Sequence, residues 1–118
     1  MLCVDDQPIV RDGIAAIINL QADIILAGAA ATGGEALERF LELRPDVTLV
    51  DLQLPDMSGF DVIKKIRDKF PNARIIVLSS PEGDVDIQRA VESGAHGYVA
   101  KGIVRGELLE TIRSVHAG

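Results

Sequence analysis

This chain has no tryptophan and few aromatics of any kind: Phe40, Phe60, Phe70 and Tyr98 make up 3% of its 118 residues. Because 47% of the residues are apolar, the core has to be aliphatic, built from Val, Ile, Leu and Ala as in buried parallel strands. Cysteine is nearly missing. The single Cys3 excludes an internal disulfide, and its place inside an apolar run marks it as a small buried hydrophobe and the cytoplasm as the expected compartment. Basic charge is not in excess either. A formal charge of −6 argues against a polyanion partner, since nucleic-acid affinity rests on clustered Lys and Arg. This domain alone is not expected to bind DNA. No apolar run approaches the ~20 residues of a membrane span, and no basic segment followed by an apolar one opens the chain. Solenoid repeats and low-complexity stretches are absent as well. The length suits one domain, and with Met1 to Val4 as a very short first run and Ala117-Gly118 ending a helical pattern, the sequence reads as residues 1–118 of something longer.

What is present is an alternation of short apolar runs with stretches of helical period, the signature of βαβ units and a parallel sheet. Five strands are predicted: Met1 to Val4, Ile24 to Ala30, Val47 to Val50, Ala73 to Leu78, and Gly97 to Ala100. Helices are predicted between them. Pro8 suits an early helix position, with Val10, Ile14, Ile17 and Ile18 on one face and an end near Gln21. Thr32 to Glu35 has capping-box spacing ahead of Leu37, Phe40 and Leu41, and Arg44-Pro45 stops that helix. Ser58 is a plausible cap for the helix carrying Val62, Ile63 and Ile66, which Pro71 closes. A fourth helix runs from about Asp84 to Ser93 with Gly94 as its C′ residue, and a fifth carries Leu108, Leu109, Ile112 and Val115.

Four of the apolar runs end on polar residues: Asp5 and Asp6 after the first, Asp51 after the third, Ser79 after the fourth and Lys101 after the fifth. Right-handed crossovers put every C-terminal strand end at one sheet edge, where open α/β sheets bind ligands. Helix N-termini at that edge favour an anion. Two carboxylates at ~4 Å repel by about 4 kcal/mol at an effective dielectric near 20, so three together call for a cation. Oxygen ligands select Mg²⁺ or Ca²⁺, and Asp5, Asp6 and Asp51 suit the partial cage of Mg²⁺ better than a calcium loop, whose spacing is missing. An aspartate beside Mg²⁺ can serve as a nucleophile that forms an acyl phosphate. Asp51, on the central strand, is the candidate, with Lys101 as a point charge and Ser79 as a hydroxyl donor.

The segments Asp5-Asp6, Asp51-Leu52-Gln53-Leu54-Pro55-Asp56-Met57-Ser58-Gly59, Leu78-Ser79-Ser80 and Gly94-Ala95-His96-Gly97-Tyr98-Val99-Ala100-Lys101 together resemble the receiver domain of two-component response regulators. The Asp5 to Gly13 opening and the Gly-Ala-His-Gly-Tyr segment most resemble its LuxR/NarL-type branch, and the likeness covers essentially the whole chain. It implies a doubly wound, flavodoxin-like (βα)5 fold of strand order 2-1-3-4-5. It also implies phosphotransfer from a sensor histidine kinase to Asp51, with Mg²⁺ held by Asp6, Asp51 and the backbone carbonyl of Gln53, and with Asp5 acting mostly through water. Lys101 then binds the phosphoryl group, while Ser79 and Tyr98 act as switch residues that remodel the face of the fourth helix, fifth strand and fifth helix. A homodimer on phosphorylation, control of transcription, and a helix-turn-helix DNA-binding domain C-terminal to residue 118 belong to the same expectation. The chain is then a regulatory domain and no enzyme, promoting only its own phosphotransfer and slow dephosphorylation.

Blander readings exist residue by residue. Asp5-Asp6 before Pro8 can be a turn and helix start, Asp51 and Ser79 can be caps, and Lys101 can be a solvated charge. Tyr98 can be half-buried packing on an edge strand. His96 and His116 read as surface residues, and Gly33-Gly34 lacks the Lys-Ser/Thr of a phosphate loop. A stand-alone receiver, a degenerate partner-binding receiver and an aspartyl-nucleophile phosphohydrolase are the alternatives, the last weakened by Gln53, which stands where such an enzyme has its acid/base. Gly102 replaces the proline common after the lysine, so a trans bond is expected there. Pro81 and Gln53 are expected to line the site and tune acyl-phosphate lifetime.

Overall fold

The computed structural model describes residues 1–79, 87–101 and 105–118. Its elements are β1 Leu2–Val4, α1 Pro8–Asn19, β2 Gly28–Ala30, α2 Gly33–Leu43, β3 Val47–Asp51, α3 Gly59–Lys69, β4 Arg74–Ser79, α4 Ile87–Glu92, β5 Gly97–Ala100 and α5 Arg105–Ala117. All strand pairs are parallel, in the order β2-β1-β3-β4-β5. The expected fold class and strand order are therefore those observed.

Consecutive strand residues serve opposite faces, and both faces are covered. Val4, Val50 and Val77 pack with Ala36, Phe40, Val62, Ile63 and Ile66 from α2 and α3. Cys3, Leu49, Ile76 and Leu78 pack with Ile14 and Ile18 from α1 and with Leu108, Leu109, Ile112 and Val115 from α5. Burying one such aliphatic side chain stabilises by about 1.5–3 kcal/mol, so this two-sided burial explains why strands of three to six residues suffice.

The helix boundaries follow local chemistry. Thr32 Oγ1 accepts from Glu35 N–H at 3.1 Å at the start of α2, and Ser58 Oγ accepts from Phe60 N–H at 3.1 Å at the start of α3. Pro8 occupies the first turn of α1. Arg44 ends α2 at φ 44°. Its guanidinium stacks 4.1 Å over the Phe70 ring, a contact that offsets the left-handed backbone of a non-glycine residue. Gly94 follows α4 at φ 102°, the left-handed C′ position expected of it.

The second strand corrects the sequence reading. Ile24 to Ala27 are not strand, because β1 offers only Leu2–Val4 as ladder partners, in register with Gly28–Ala30. The preceding residues make backbone bonds with Met1, whose carbonyl accepts from Ala27 N–H at 2.8 Å and whose ammonium donates to Ile25 O at 2.8 Å. Smaller shifts occur elsewhere. β1 begins at Leu2, α1 stops at Asn19, β3 runs on to Asp51, and β4 is displaced by one residue to Arg74–Ser79. The expected start of α4 at Asp84 lies outside the described residues, as do Pro81 and Gly102 with its expected trans bond.

Candidate functional site

Parallel topology delivers the site. Asp51 and Ser79 are the last residues of β3 and β4, Asp5 and Asp6 follow β1, and Lys101 follows β5. Two backbone bonds fix the register at that edge: Asp5 N–H donates to Ala30 O at 3.0 Å, and Lys101 N–H donates to Ser79 O at 2.6 Å. Asp5, Asp51 and Ser79 are 0%, 2% and 1% exposed, an unusual density of buried polar groups for so small a sheet.

The two buried carboxylates are held differently. Asp51 Oδ1 accepts from Gln53 N–H at 3.1 Å while Oδ2 accepts from Lys101 Nζ at 3.0 Å. Asp5 Oδ1 accepts from Gln7 N–H at 2.8 Å. Its Oδ2 is sealed from solvent without a hydrogen-bond partner of good geometry among the described residues, and lies 3.0 Å from the Lys101 ammonium. One cation therefore serves two buried anions. Burial pushes the Asp51 carboxyl above its ordinary range, against the pull of the Gln53 N–H and Lys101 bonds and with repulsion from Asp5 added. For Lys101, burial works against the charged form, and the close contacts with the Asp5 and Asp51 carboxylates outweigh it and raise the ammonium above its usual value.

Asp6 completes the acidic group from the exposed side. Oxygens of Asp5, Asp6 and Asp51 all lie within 4.8 Å of one another. An orphaned buried carboxylate oxygen beside two further carboxylates, with an all-oxygen donor set, fits a hard divalent cation of the Mg²⁺ type. Gln53, whose backbone carbonyl was expected to join that set, is held against Asp51 through its N–H, and its bridge to Ser58 tightens the loop after β3. Gly59 shapes the same loop: a Cβ there would lie 2.2 Å from Asp51 O and 2.7 Å from Leu52 Cα.

Ser79 and Tyr98 form one unit. Val77 pairs with Tyr98 and Ser79 with Ala100, so Ser79 and Tyr98 are diagonal neighbours on one face of the sheet. Ser79 Oγ donates to Tyr98 Oη at 2.7 Å. Tyr98 remains 36% exposed, so its ring spans from the site to the outer side of β5.

Sequence reasoning missed two residues. Gln7, the N-cap of α1, makes no side-chain cap, and its Oε1 accepts from Lys101 Nζ at 3.2 Å. Asp56 accepts from Gly33 N–H at 2.7 Å and Gly34 N–H at 2.9 Å. These two bonds hold its carboxyl below the usual range. The Gly33-Gly34 turn is thus an anion site filled by the chain's own carboxylate, which ties the loop after β3 to α2. Neither contact has a local signature, because the partners are 94 and 22–23 residues apart. His96 and His116 are both exposed, as expected. A cavity of about 570 Å³, lined by Met1, Ile24, Ile25, Asp46 and Arg113 among others, contains none of the site residues.

The response regulator receiver domain family matches residues 1–113. The nitrate/nitrite response regulator protein NarL of Escherichia coli K12 is 34% identical over 118 residues, covering 100% of this chain and 55% of that protein. The transcriptional regulatory protein YhcZ of Bacillus subtilis is 40% identical over 118 residues, with the same 100% and 55% coverage. Among solved structures, a LuxR-family two-component response regulator from Aurantimonas sp. SI85-9A1 superposes with a TM-score of 0.92 at 35% identity, over 99% of this chain and 84% of that one. The response regulator domain of Thermotoga maritima CheB gives a TM-score of 0.89 at 34% identity, over 99% and 95%. The chain spans about half the length of the curated relatives it matches.

Proposed function

Because this chain belongs to the response regulator receiver domain family and is of its NarL/LuxR type, we propose that Asp51 is its phosphoacceptor and that the strand-end cluster is its switch. The observation that carries this reading is the shared ammonium: Lys101 Nζ lies 3.0 Å from both Asp51 and Asp5, two buried carboxylates. A purely structural strand end has no use for that arrangement, since buried ion pairs add little net stability.

Phosphotransfer follows from the groups in place. An Asp51 carboxylate oxygen attacks phosphorus as the bond to the histidine nitrogen of a sensor kinase breaks, and the leaving imidazole keeps the electron pair and takes up a proton. The Gln53 N–H holds Oδ1, which leaves Oδ2 to react. Lys101 exchanges Asp51 Oδ2 for a phosphoryl oxygen. Mg²⁺, held by Asp5, Asp6, Asp51 and the Gln53 backbone carbonyl, would supply charge compensation for the phosphoryl oxygens when bound.

The readout runs through Ser79. Its hydroxyl proton now goes to Tyr98 Oη; a phosphoryl oxygen on Asp51 is a stronger acceptor, so Ser79 turns to it and the tyrosine is released or drawn after it. A hydrogen bond to a charged group contributes about 1.5–3 kcal/mol, enough to shift a two-state equilibrium by roughly 10- to 150-fold. Tyr98 lies on the edge strand β5, so the face of α4, β5 and α5 changes, a second copy docks, and a C-terminal helix-turn-helix domain gains or loses its DNA site. On this reading the chain is a cytoplasmic regulatory module of a transcription factor. The test is incubation with Mg²⁺ and a small-molecule phosphodonor. One acid-stable, base-labile phosphoryl group is expected, and none in Asp51→Asn; labelling that persists in the variant refutes the assignment.

A further inference from the structure

We infer that Gln7 is a positioning residue for Lys101, a role that rests on the phosphoacceptor reading of Asp51. Gln7 sits at the N-cap of α1 in extended conformation, φ −90° and ψ 113°. That position normally carries Ser, Thr, Asp or Asn, whose short side chain accepts from the first free helix N–H groups. Gln7 makes no such bond. Its side chain instead crosses to β5 and accepts from Lys101 Nζ at 3.2 Å. Its backbone N–H donates to Asp5 Oδ1 at 2.8 Å.

An ammonium has three N–H donors. Lys101 donates to Asp51 Oδ2 and Gln7 Oε1 at 3.0 and 3.2 Å, and its ammonium is ion-paired with Asp5 Oδ2 at 3.0 Å. When Asp51 takes on a phosphoryl group, the bond to Asp51 Oδ2 is the one exchanged, and Asp5 and Gln7 keep the ammonium aimed. With the Gln7 arm removed, only Asp5 orients a flexible four-carbon stem. A helix start that gives up its own cap to bond a site lysine is a local rule broken at a functional position.

Gln7→Ala and Gln7→Asn separate positioning from structure. Asparagine is a better N-cap, so Gln7→Asn is expected to unfold at the same or a higher temperature than the wild type. Its side chain is one methylene short of Lys101. Both variants are expected to lose about fivefold in the rate constant for phosphoryl incorporation at saturating Mg²⁺ and phosphodonor, the middle of the net range for one hydrogen bond. Gln7→Glu, which keeps an acceptor oxygen at the same reach, is expected to restore the Lys101 Nζ resonance that the alanine variant shifts. Wild-type rates in both variants, or a rate loss in Gln7→Asn matched by lower heat stability, overturn the proposal. Were the wild type itself to take no phosphoryl group, or Asp51→Asn to keep it, the phosphoacceptor reading would fall and this one with it. A labelled wild type with unaffected Gln7 variants removes the Gln7 role alone.

Discussion

Replacing Lys101 by methionine keeps most of the stem and deletes the charge that two buried carboxylates share. Asp5 is 0% and Asp51 2% exposed, and the lysine side chain itself is 14% exposed. Their oxygens lie within 4.8 Å of each other, a separation at which like charges repel by about 3–4 kcal/mol at an effective dielectric near 20. Removing one partner of a buried pair costs about 3–5 kcal/mol, and partial access of water puts Lys101→Met near the lower end, about 3 kcal/mol. That is a large share of the ~5–15 kcal/mol that holds a domain together. The pH dependence has a definite sign. Burial, against the Gln53 and Lys101 bonds, already keeps the Asp51 carboxyl above its ordinary range, and loss of Lys101 raises it further. A carboxyl whose folded pKa exceeds its unfolded value binds more protons in the folded state, so its contribution to stability rises as pH falls toward about 4. Urea unfolding without metal is therefore expected to show a deficit of about 3 kcal/mol at pH 7 that is smaller at pH 5. Millimolar Mg²⁺ at pH 7 is expected to restore part of it. A deficit under about 1 kcal/mol, or one that is equal at both pH values or larger at pH 5, would refute the shared-cation argument.

Two further perturbations probe the scaffold. Burial, with repulsion from Asp5 added, pushes the Cys3 thiol up to about 12, so a thiol-exchange reagent at pH 8 is expected to leave the native protein unlabelled and to react with one thiol in urea; fast native labelling would mean that β1 opens. Gly59→Ala sets a Cβ 2.2 Å from the Asp51 carbonyl oxygen, a backbone atom that has no rotamer to escape into. Overpacking costs about 1–3 kcal/mol, and a loss of at least the upper figure is expected in urea unfolding, together with slower phosphoryl incorporation because the loop after β3 moves.

The alternation of apolar runs with helical periods made the fold class legible, and the capping roles of Thr32, Ser58 and Gly94 are those the sequence suggested. Where the reading failed, a partner was missing from view. Ile24 to Ala27 have the residues of a strand, yet pairing depends on how many residues β1 presents, and it presents three. Gln7 looks like a neutral helix start and Asp56 like a turn residue, until a contact 94 or 22–23 residues away gives each a role.

By itself, then, the sequence determined which residue types stand at the ends of the strands, because a parallel sheet buries continuous apolar runs and expels polar residues to their termini. Charge arithmetic alone assigned Asp5, Asp6 and Asp51 to a cation. Only the tertiary structure decided how the Lys101 ammonium is divided. Lys101 reaches Asp5, Asp51 and Gln7 together because β5 is placed in register with β4, so that Lys101 N–H meets Ser79 O at 2.6 Å. Register is a property of pairing between strands, and no single strand carries it.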